Sequence, residues 1–600
     1  MTGPAALARP VAAALLAAAL AGCGGGGDGS GGTDASLLAP GAVRDTTPYS
    51  SAGSASLEAA AENAAVTARN LSLRGATVAY TATAGHLNPR DPRSGAEQAS
   101  MFYVAYTVAT VPPAARPLIF FYNGGPGSAS VWLHLGSFAP RRIVTSAPSL
   151  AVPLPYRLVD NAESLIDVAD LVFVDAVGSG YSQAIAPFTN QSFWSVDADA
   201  ALMRDFVARY VGVNGRGGSP TFLFGESYGT TRAAIVADLM LAAGMRLDGV
   251  VLQSSILDYN ANCEVFAPRQ VSCEGFLPSY GMTGAWFGLT TPPRNDADAY
   301  AQELRDFSAT SYRPAVDAYV ATRAPAPPGL VEDLVARTGA PAALWQANLD
   351  LDATTFRSQV LPGRLMGRYD ARIAADSGSA LARGGDPSST VIVAPFAAAL
   401  QHVMNEELRY SALASYTLLS NAIATWDFRH DGRSLPDTIP DLAAALARHP
   451  GLRVLSLSGY HDLATPFRQT ELDLGRLGAR PGLAVRAYPG GHMTYLDDAS
   501  RARMHTDLSA FLTGATLPPA QAGPAAAPPG AAAPGGVPRA GAQAIAPGGD
   551  ASDRRTQAQG GDPWIPPALR IPSGAPSPSG AALERLVRQK IAERNRDVYR

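Results

Sequence analysis

The five residues Gly225-Glu226-Ser227-Tyr228-Gly229 constrain this chain more than any others. The run before them, 220–224, is Pro-Thr-Phe-Leu-Phe and suits a strand, and the Ala-rich stretch 230–243 after them reads as a helix. A strand that turns sharply into a helix between two glycines needs small residues where the two elements approach. Such a turn holds a serine in a strained conformation and exposes its oxygen beyond the strand end, as in a nucleophile elbow. Serine is a poor nucleophile without a base beside it, so the rest of the chain has to supply partners. With 59 glycines in 600 residues, the G-x-S-x-G pattern can arise by chance. Its meaning therefore rests on those partners and on the strand and helix around it.

The length exceeds one compact domain, so a core with insertions or tails is expected. A net charge of −4 offers no basic surface for nucleic acid, which is excluded as a partner. Three cysteines are too few for a disulfide framework. Arg9 precedes an apolar run at 11–20 that is too short to span a bilayer as a mature helix. The run ends Leu20-Ala21-Gly22-Cys23, which resembles the lipobox of bacterial lipoproteins. The resemblance implies a signal peptide over 1–22, lipidation of Cys23, and a chain exported and lipid-anchored to a bacterial membrane. The alternative is an ordinary signal peptide with Cys23 incidental, and export follows either way. Residues 24–33 are nearly all Gly, Ser and Asp, and 23–46 reads as a flexible tether.

Strand patterns fall at 77–84, 101–110, 118–122, 170–175, 220–224, 248–253, 453–458 and 484–488, and helical patterns at 197–211, 230–243 and 498–512. Strands alternating with helices indicate an α/β fold with a mainly parallel sheet, over a domain of residues 47–515. From about 258 to 427 the alternation lapses, and segments such as 397–425 are helix-like, which reads as a largely helical cap insertion. Cys263 and Cys273 lie within it. In an oxidising compartment they could pair across a short loop, with stabilisation on the order of 3 kcal/mol, and two unpaired thiols are the alternative. Residues 516–580 are mostly Pro, Ala, Gly and polar, too poor in apolar surface to fold. In 581–600, Leu583, Leu586, Val587 and Ile591 share one face of a basic amphipathic helix.

The partners of Ser227 come from three loops. The 118–122 strand empties into Asn123-Gly124-Gly125-Pro126-Gly127-Ser128, whose backbone amides suit an oxyanion site. Asp462 and His492 each follow a predicted strand, where loops at the C-terminal sheet edge carry chemistry. The order Ser227, Asp462, His492 is the chain order of α/β-hydrolases. His492 would take the proton of Ser227 and return it to the leaving group, and Asp462 would orient the imidazole. His461 is a rival base, but a histidine does not readily reach the carboxylate of its own neighbour. This chemistry calls for no cofactor and no metal.

Taken together, Asn-Gly-Gly-Pro-Gly-Ser at 123–128, Gly-Glu-Ser-Tyr-Gly at 225–229, Asp462 and Gly-Gly-His-Met at 490–493 resemble the serine carboxypeptidase family. Asp175 with Gly178 and Gly180 matches a further block, and the similarity runs from about 70 to 515. The resemblance implies an α/β-hydrolase fold with a helical cap, and removal of C-terminal residues from peptide substrates through an acyl-enzyme. It implies backbone amides of Gly125 and Tyr228 as oxyanion donors, with Asn123, Gly124 and Glu226 holding the terminal carboxylate. Many eukaryotic relatives pair the elbow glutamate with a second one, whose position here falls on Ser137. Two rival readings stay open: an esterase or acyltransferase using the same three residues, and a non-enzymatic surface lipoprotein. Glu226 discriminates the first, because an esterase needs no buried acid beside its nucleophile.

Overall fold

The computed structural model describes residues 41–145, 147–150, 156–265 and 271–518. The 1–22 segment, Cys23, the tether as far as residue 40, the linker beyond 518 and the 581–600 helix lie outside them. Among the described residues no helix is long and apolar enough to cross a membrane.

The central strands are β1 (Ala64–Leu73), β2 (Ala76–Leu87), β3 (Ala99–Thr107), β4 (Leu118–Tyr122), β5 (Asp170–Val174), β6 (Thr221–Glu226), β7 (Gly249–Gln253), β8 (Arg453–Gly459) and β9 (Leu483–Tyr488). They lie in the order β9-β8-β7-β6-β4-β5-β3-β2-β1, and the short strand Gln183–Ala184 adds to β3. From β9 to β5 every pairing is parallel. From β5 to β1 every pairing is antiparallel. This sheet, with helices on both faces, is an α/β-hydrolase fold. β1 is absent from the sequence reading because its inward residues include Ala65 and Thr67, too small to stand out as an apolar alternation.

Parallel strands buried on both faces need continuous apolar runs. In β4, Leu118, Phe120 and Tyr122 enter one core layer, and Ile119 and Phe121 the other. Phe121 stacks on Phe173 at 4.6 Å and on Phe224 at 4.8 Å, joining three adjacent strands. The helices flanking the sheet include α1 (Val131–Gly136), α2 (Val196–Val213), α3 (Tyr228–Ala242), α4 (Ile439–Arg448) and α5 (Asp498–Thr513). The first layer holds α2, α3 and α4, and the second holds α1 and α5.

Between β7 and α4 the chain is mostly helical, with a core around Phe276, Tyr280, Tyr312, Trp345 and Phe356. Cys263 and Cys273 are bonded within it, their Cα atoms 5.2 Å apart. The helix expected over 397–425 instead spans Pro387–His402, begun by Asp386, whose carboxylate accepts the Ser388 amide. Arg409 turns to φ 55° and ends the helical path. Tyr410–Ala412 then pairs with Val43–Asp45, a partner more than 360 residues distant that no local pattern could show.

His430 joins the starts of two flanking helices, 2.6 Å from Asp197 in α2 and 3.0 Å from Asp441 in α4. These bonds, Asp197 first, push the imidazole up to about 10. A raised folded pKa stabilises fully below the unfolded value of about 6.5, and the contribution fades as pH climbs through the folded one. Asp197 is largely solvent-exposed, which screens the pair. His430→Gln should therefore cost about 1 kcal/mol at pH 6 and less at pH 10, read by urea unfolding at both values.

Candidate active site

β6 ends at Glu226 and α3 begins at Tyr228, which leaves Ser227 alone in the turn at φ 60° and ψ −128°. A non-glycine residue with positive φ is strained and persists only where its surroundings enforce it. The enforcement here is backbone contact. A Cβ on Gly225 would lie 2.0 Å from the Gly229 carbonyl oxygen, and one on Gly229 would lie 2.8 Å from that of Tyr122. The glycine-rich loop after β4 closes in from the other side, since a Cβ on Gly124 would fall 2.5 Å from the Tyr228 nitrogen. Ser227 is partly exposed while Glu226 and Tyr228 on either side are buried. The amide of Tyr228 opens α3 and has no acceptor within the helix.

Asp462 follows β8 and His492 follows β9. His492 Nδ1 lies 2.8 Å from Asp462 Oδ2, as a donor to that carboxylate. The fully buried Asp462 also accepts the amides of Ala464 at 2.8 Å and Thr465 at 3.0 Å, and the Thr465 hydroxyl at 2.7 Å. Burial alone would lower the His492 pKa, but the charge and hydrogen bond of Asp462, with the charge of Glu226, reverse it and the net shift is upward. Gln253, at the end of β7, connects this pair to the serine. Its carbonyl accepts the Ser227 amide at 3.0 Å, and its side-chain amide donates to the His492 carbonyl at 3.0 Å, beside the Ser254 hydroxyl at 2.6 Å. Neither Gln253, Ser254 nor Thr465 was singled out from sequence, although polar residues closing an apolar strand are the signal that marks the first two.

The insertion holds the two loops in place. The Tyr369 carbonyl accepts the His492 amide at 2.6 Å, and the Arg368 carbonyl accepts that of Leu463 at 3.0 Å. The Ala371 amide donates to the His461 carbonyl at 3.0 Å. A Cβ on Gly491 would meet the Tyr369 oxygen at 2.1 Å, so the contact needs glycine. His461 is not bonded to Asp462. Its ring lies near Trp286, 6.1 Å between centroids, and burial and then Arg372 hold its pKa well below the usual value.

Asn123 donates from Nδ2 to Glu226 Oε1 at 2.8 Å and accepts the Leu133 amide at 3.1 Å. Burial pushes the Glu226 carboxyl up to about 7; His492, Tyr495 and Asn123 pull it down, and Asp462 adds to the rise. Ser137 does not face this acid, because its hydroxyl donates to the Leu133 carbonyl at 2.5 Å. Asp175 braces the glycine-rich loop by accepting the Ser130 amide at 2.8 Å, and burial raises it too, to about 7. Gly180 is required beside it, since a Cβ there would lie 1.8 Å from Asp175 Oδ2. Among the described residues, no cluster of three or more His, Cys, Asp or Glu could hold a metal ion.

Arg232 was also missed, though an arginine inside an apolar, Ala-rich helix is itself a signal. It is buried, donates to Asp199 at 2.6 Å and to the Asn123 carbonyl at 2.8 Å, and lies 5.4 and 5.3 Å from the Tyr122 and Tyr228 ring centres.

Residues 74–274 match the family model for serine carboxypeptidase. The match includes the glycine-rich loop and the elbow and stops before Asp462 and His492. Serine carboxypeptidase-like 33 of Arabidopsis thaliana is 28% identical over 146 residues, which are 24% of this chain and 28% of that protein. The chain thus spans little more than a quarter of the length of that relative. Proline iminopeptidase of Mycobacterium smegmatis is 15% identical, covering 75% of this chain and 98% of its own, with a TM-score of 0.30. A putative aryl esterase from Burkholderia cenocepacia is 15% identical over 71% of this chain and 97% of its own, also at 0.30.

Removing one member of a buried ion pair strands the other charge. Arg232→Met should cost about 3–5 kcal/mol in urea unfolding. Adding Asp199→Leu should recover most of that loss, because no uncompensated carboxylate then remains.

Proposed function

We propose that this chain is a serine hydrolase that removes C-terminal residues from peptides. The observation that carries the reading is Glu226, a buried acid next to the nucleophile, pushed up to about 7 and held by Asn123. Ester hydrolysis has no use for such a group, whereas a substrate with a free carboxylate needs a proton donor there. The 74–274 family match supports the same reading.

Ser227 Oγ attacks the scissile carbonyl and passes its proton to His492 Nε2, the ring nitrogen not engaged with Asp462. Asp462, fixed as an acceptor by the amides of Ala464 and Thr465 and the Thr465 hydroxyl, keeps the proton on Nδ1 and stabilises the imidazolium. The Gly125 and Tyr228 amides receive the developing oxyanion. The intermediate collapses, His492 protonates the departing amine, and the acyl group stays on Ser227. Water, activated by His492, then releases the shortened peptide and frees the serine. The terminal carboxylate is met by Asn123, Gly124 and Glu226, and Glu226 can donate to it only while protonated, since two carboxylates in one dry site repel. Because Ser137 supplies no second acid, an esterase or acyltransferase working through the same three residues is the alternative.

Export and lipid anchoring through Cys23 form part of the proposal. The Cys263–Cys273 bond supports an oxidising compartment. Cys23→Ser should leave the protein in the soluble fraction, and a mutant that stays on membranes would remove the anchor from the reading.

Ser227→Ala and His492→Ala should each lower turnover by several orders of magnitude, with the double variant little worse. Near-normal activity of Ser227→Ala would overturn the hydrolase assignment. For a blocked dipeptide, kcat/KM should fall below the His492 pKa, where the base is protonated, and again as pH rises through about 7, where Glu226 ionises. Each group senses the other's charge, so the two limbs belong to the pair. The amide of the same dipeptide has no carboxylate and should keep its activity above pH 7. Coincident profiles would favour the esterase.

A further inference from the structure

Glu226 gives one oxygen to Asn123, and its other oxygen, Oε2, is buried with no hydrogen-bond partner among the described residues. The Tyr495 hydroxyl is in the same condition, on a side chain with no exposed surface. The two stand close enough to act on each other's ionisation, with Asn123 beside both. Buried polar atoms are nearly always paired, so two partnerless atoms side by side in one dry pocket point to each other.

Local structure brings the tyrosine there. It lies three residues after His492, in the single turn Thr494–Leu496. The Thr494 hydroxyl accepts from the Gln253 side chain at 3.1 Å, which ties this turn to the end of β7, where Gln253 also bonds the Ser227 amide and the His492 carbonyl. The ring lies over the end of α1, where a Cβ on Gly136 would come within 2.9 Å of Tyr495 Cε2. The next residue, Ser137, is small and its hydroxyl is turned back to Leu133. The end of α1 is therefore reduced to Gly-Ser, and the aromatic ring occupies the space beside it.

We propose that Tyr495, rather than a second acid on α1, is the positioning residue of Glu226: its hydroxyl closes on Oε2 and sets the orientation of the carboxyl and the pH at which it stops binding a substrate carboxylate. This rests on the carboxypeptidase reading. A phenol and a second carboxyl act differently on Glu226. A carboxyl can share a proton with Glu226 and hold it on the pair. A phenol that keeps its own proton can only donate, and a donated hydrogen bond favours the ionised acid. Burial first, and then Glu226, keep the Tyr495 hydroxyl protonated far above neutral pH. The charged or titratable groups acting on Glu226 are His492, Tyr495 and Asp462. Arg501 donates to the Tyr495 carbonyl and is paired with Glu163 and Asp498, and Arg232 donates to the Asn123 carbonyl and is paired with Asp199, while Gly136, Ser137 and Phe396 bring no charge.

The test is Tyr495→Phe, which keeps the ring and removes the donor. Loss of one hydrogen bond to a carboxylate should move the alkaline limb of kcat/KM for a blocked dipeptide upward by about one pH unit. The profile for the dipeptide amide should not move above pH 7. A variant that loses activity equally on both substrates with an unmoved limb would show Tyr495 to be packing only, and would overturn the proposal. If the wild-type dipeptide and amide profiles coincide, the carboxypeptidase reading fails instead. In that case titration of the Glu226 carboxyl by carbon NMR in the full chain still decides the pairing: an upward shift in Tyr495→Phe supports it, and no shift overturns it.

Discussion

Three stretches of main chain meet at Ser227 more closely than side chains would allow. The end of β6, the start of α3 and the loop after β4 approach until Gly124, Gly225 and Gly229 have no room for a Cβ. Ser227 takes its positive φ because this contact leaves it no relaxed alternative. Arg232 locks the arrangement from below, with one bond to the loop, one to α2, and the tyrosines of β4 and α3 against its guanidinium. The exposed oxygen of the serine is a consequence of that packing.

The histidine side depends on a different element. β8 and β9 deliver Asp462 and His492 to the sheet edge, but the insertion supplies the carbonyls of Arg368 and Tyr369 that fasten their loops. Arg372 anchors the same segment through Asp370 and Asp497 at 2.8 and 2.9 Å. The insertion is therefore part of the machinery that positions the imidazole, as well as a cover over the sheet.

Burial sets the electrostatics of the site. Glu226 and Asp175 are both pushed up to about 7 by desolvation, so each can hold a proton near neutrality where an exposed carboxyl would not. Asp462, just as deeply buried, accepts two backbone amides and the Thr465 hydroxyl. The partners of these three buried carboxyls come from backbone as often as from side chains.

Much of this was legible in the sequence, because the parallel strands are continuous apolar runs and the chemistry sits where they end. The run 118–122 and the residues 123–128, 225–229, 462 and 490–493 stand out by local composition alone, and they carry the α/β-hydrolase fold and the residues proposed for the site. What sequence could not give is whatever depends on contacts between distant segments. The pairing of Tyr410–Ala412 with Val43–Asp45 and the hold of Arg368 and Tyr369 on the loops of Asp462 and His492 have no local periodicity to reveal them, and the lone arginine of α3 stands out in the sequence without showing what it braces. The neighbour of Glu226 shows the division most clearly. Counting along the chain pointed to position 137, whereas packing turns Ser137 toward its own helix and places the Tyr495 ring over Gly136. Spacing along a chain fixes which residues leave a strand end, but which of them meet is decided by the space the neighbouring elements leave open.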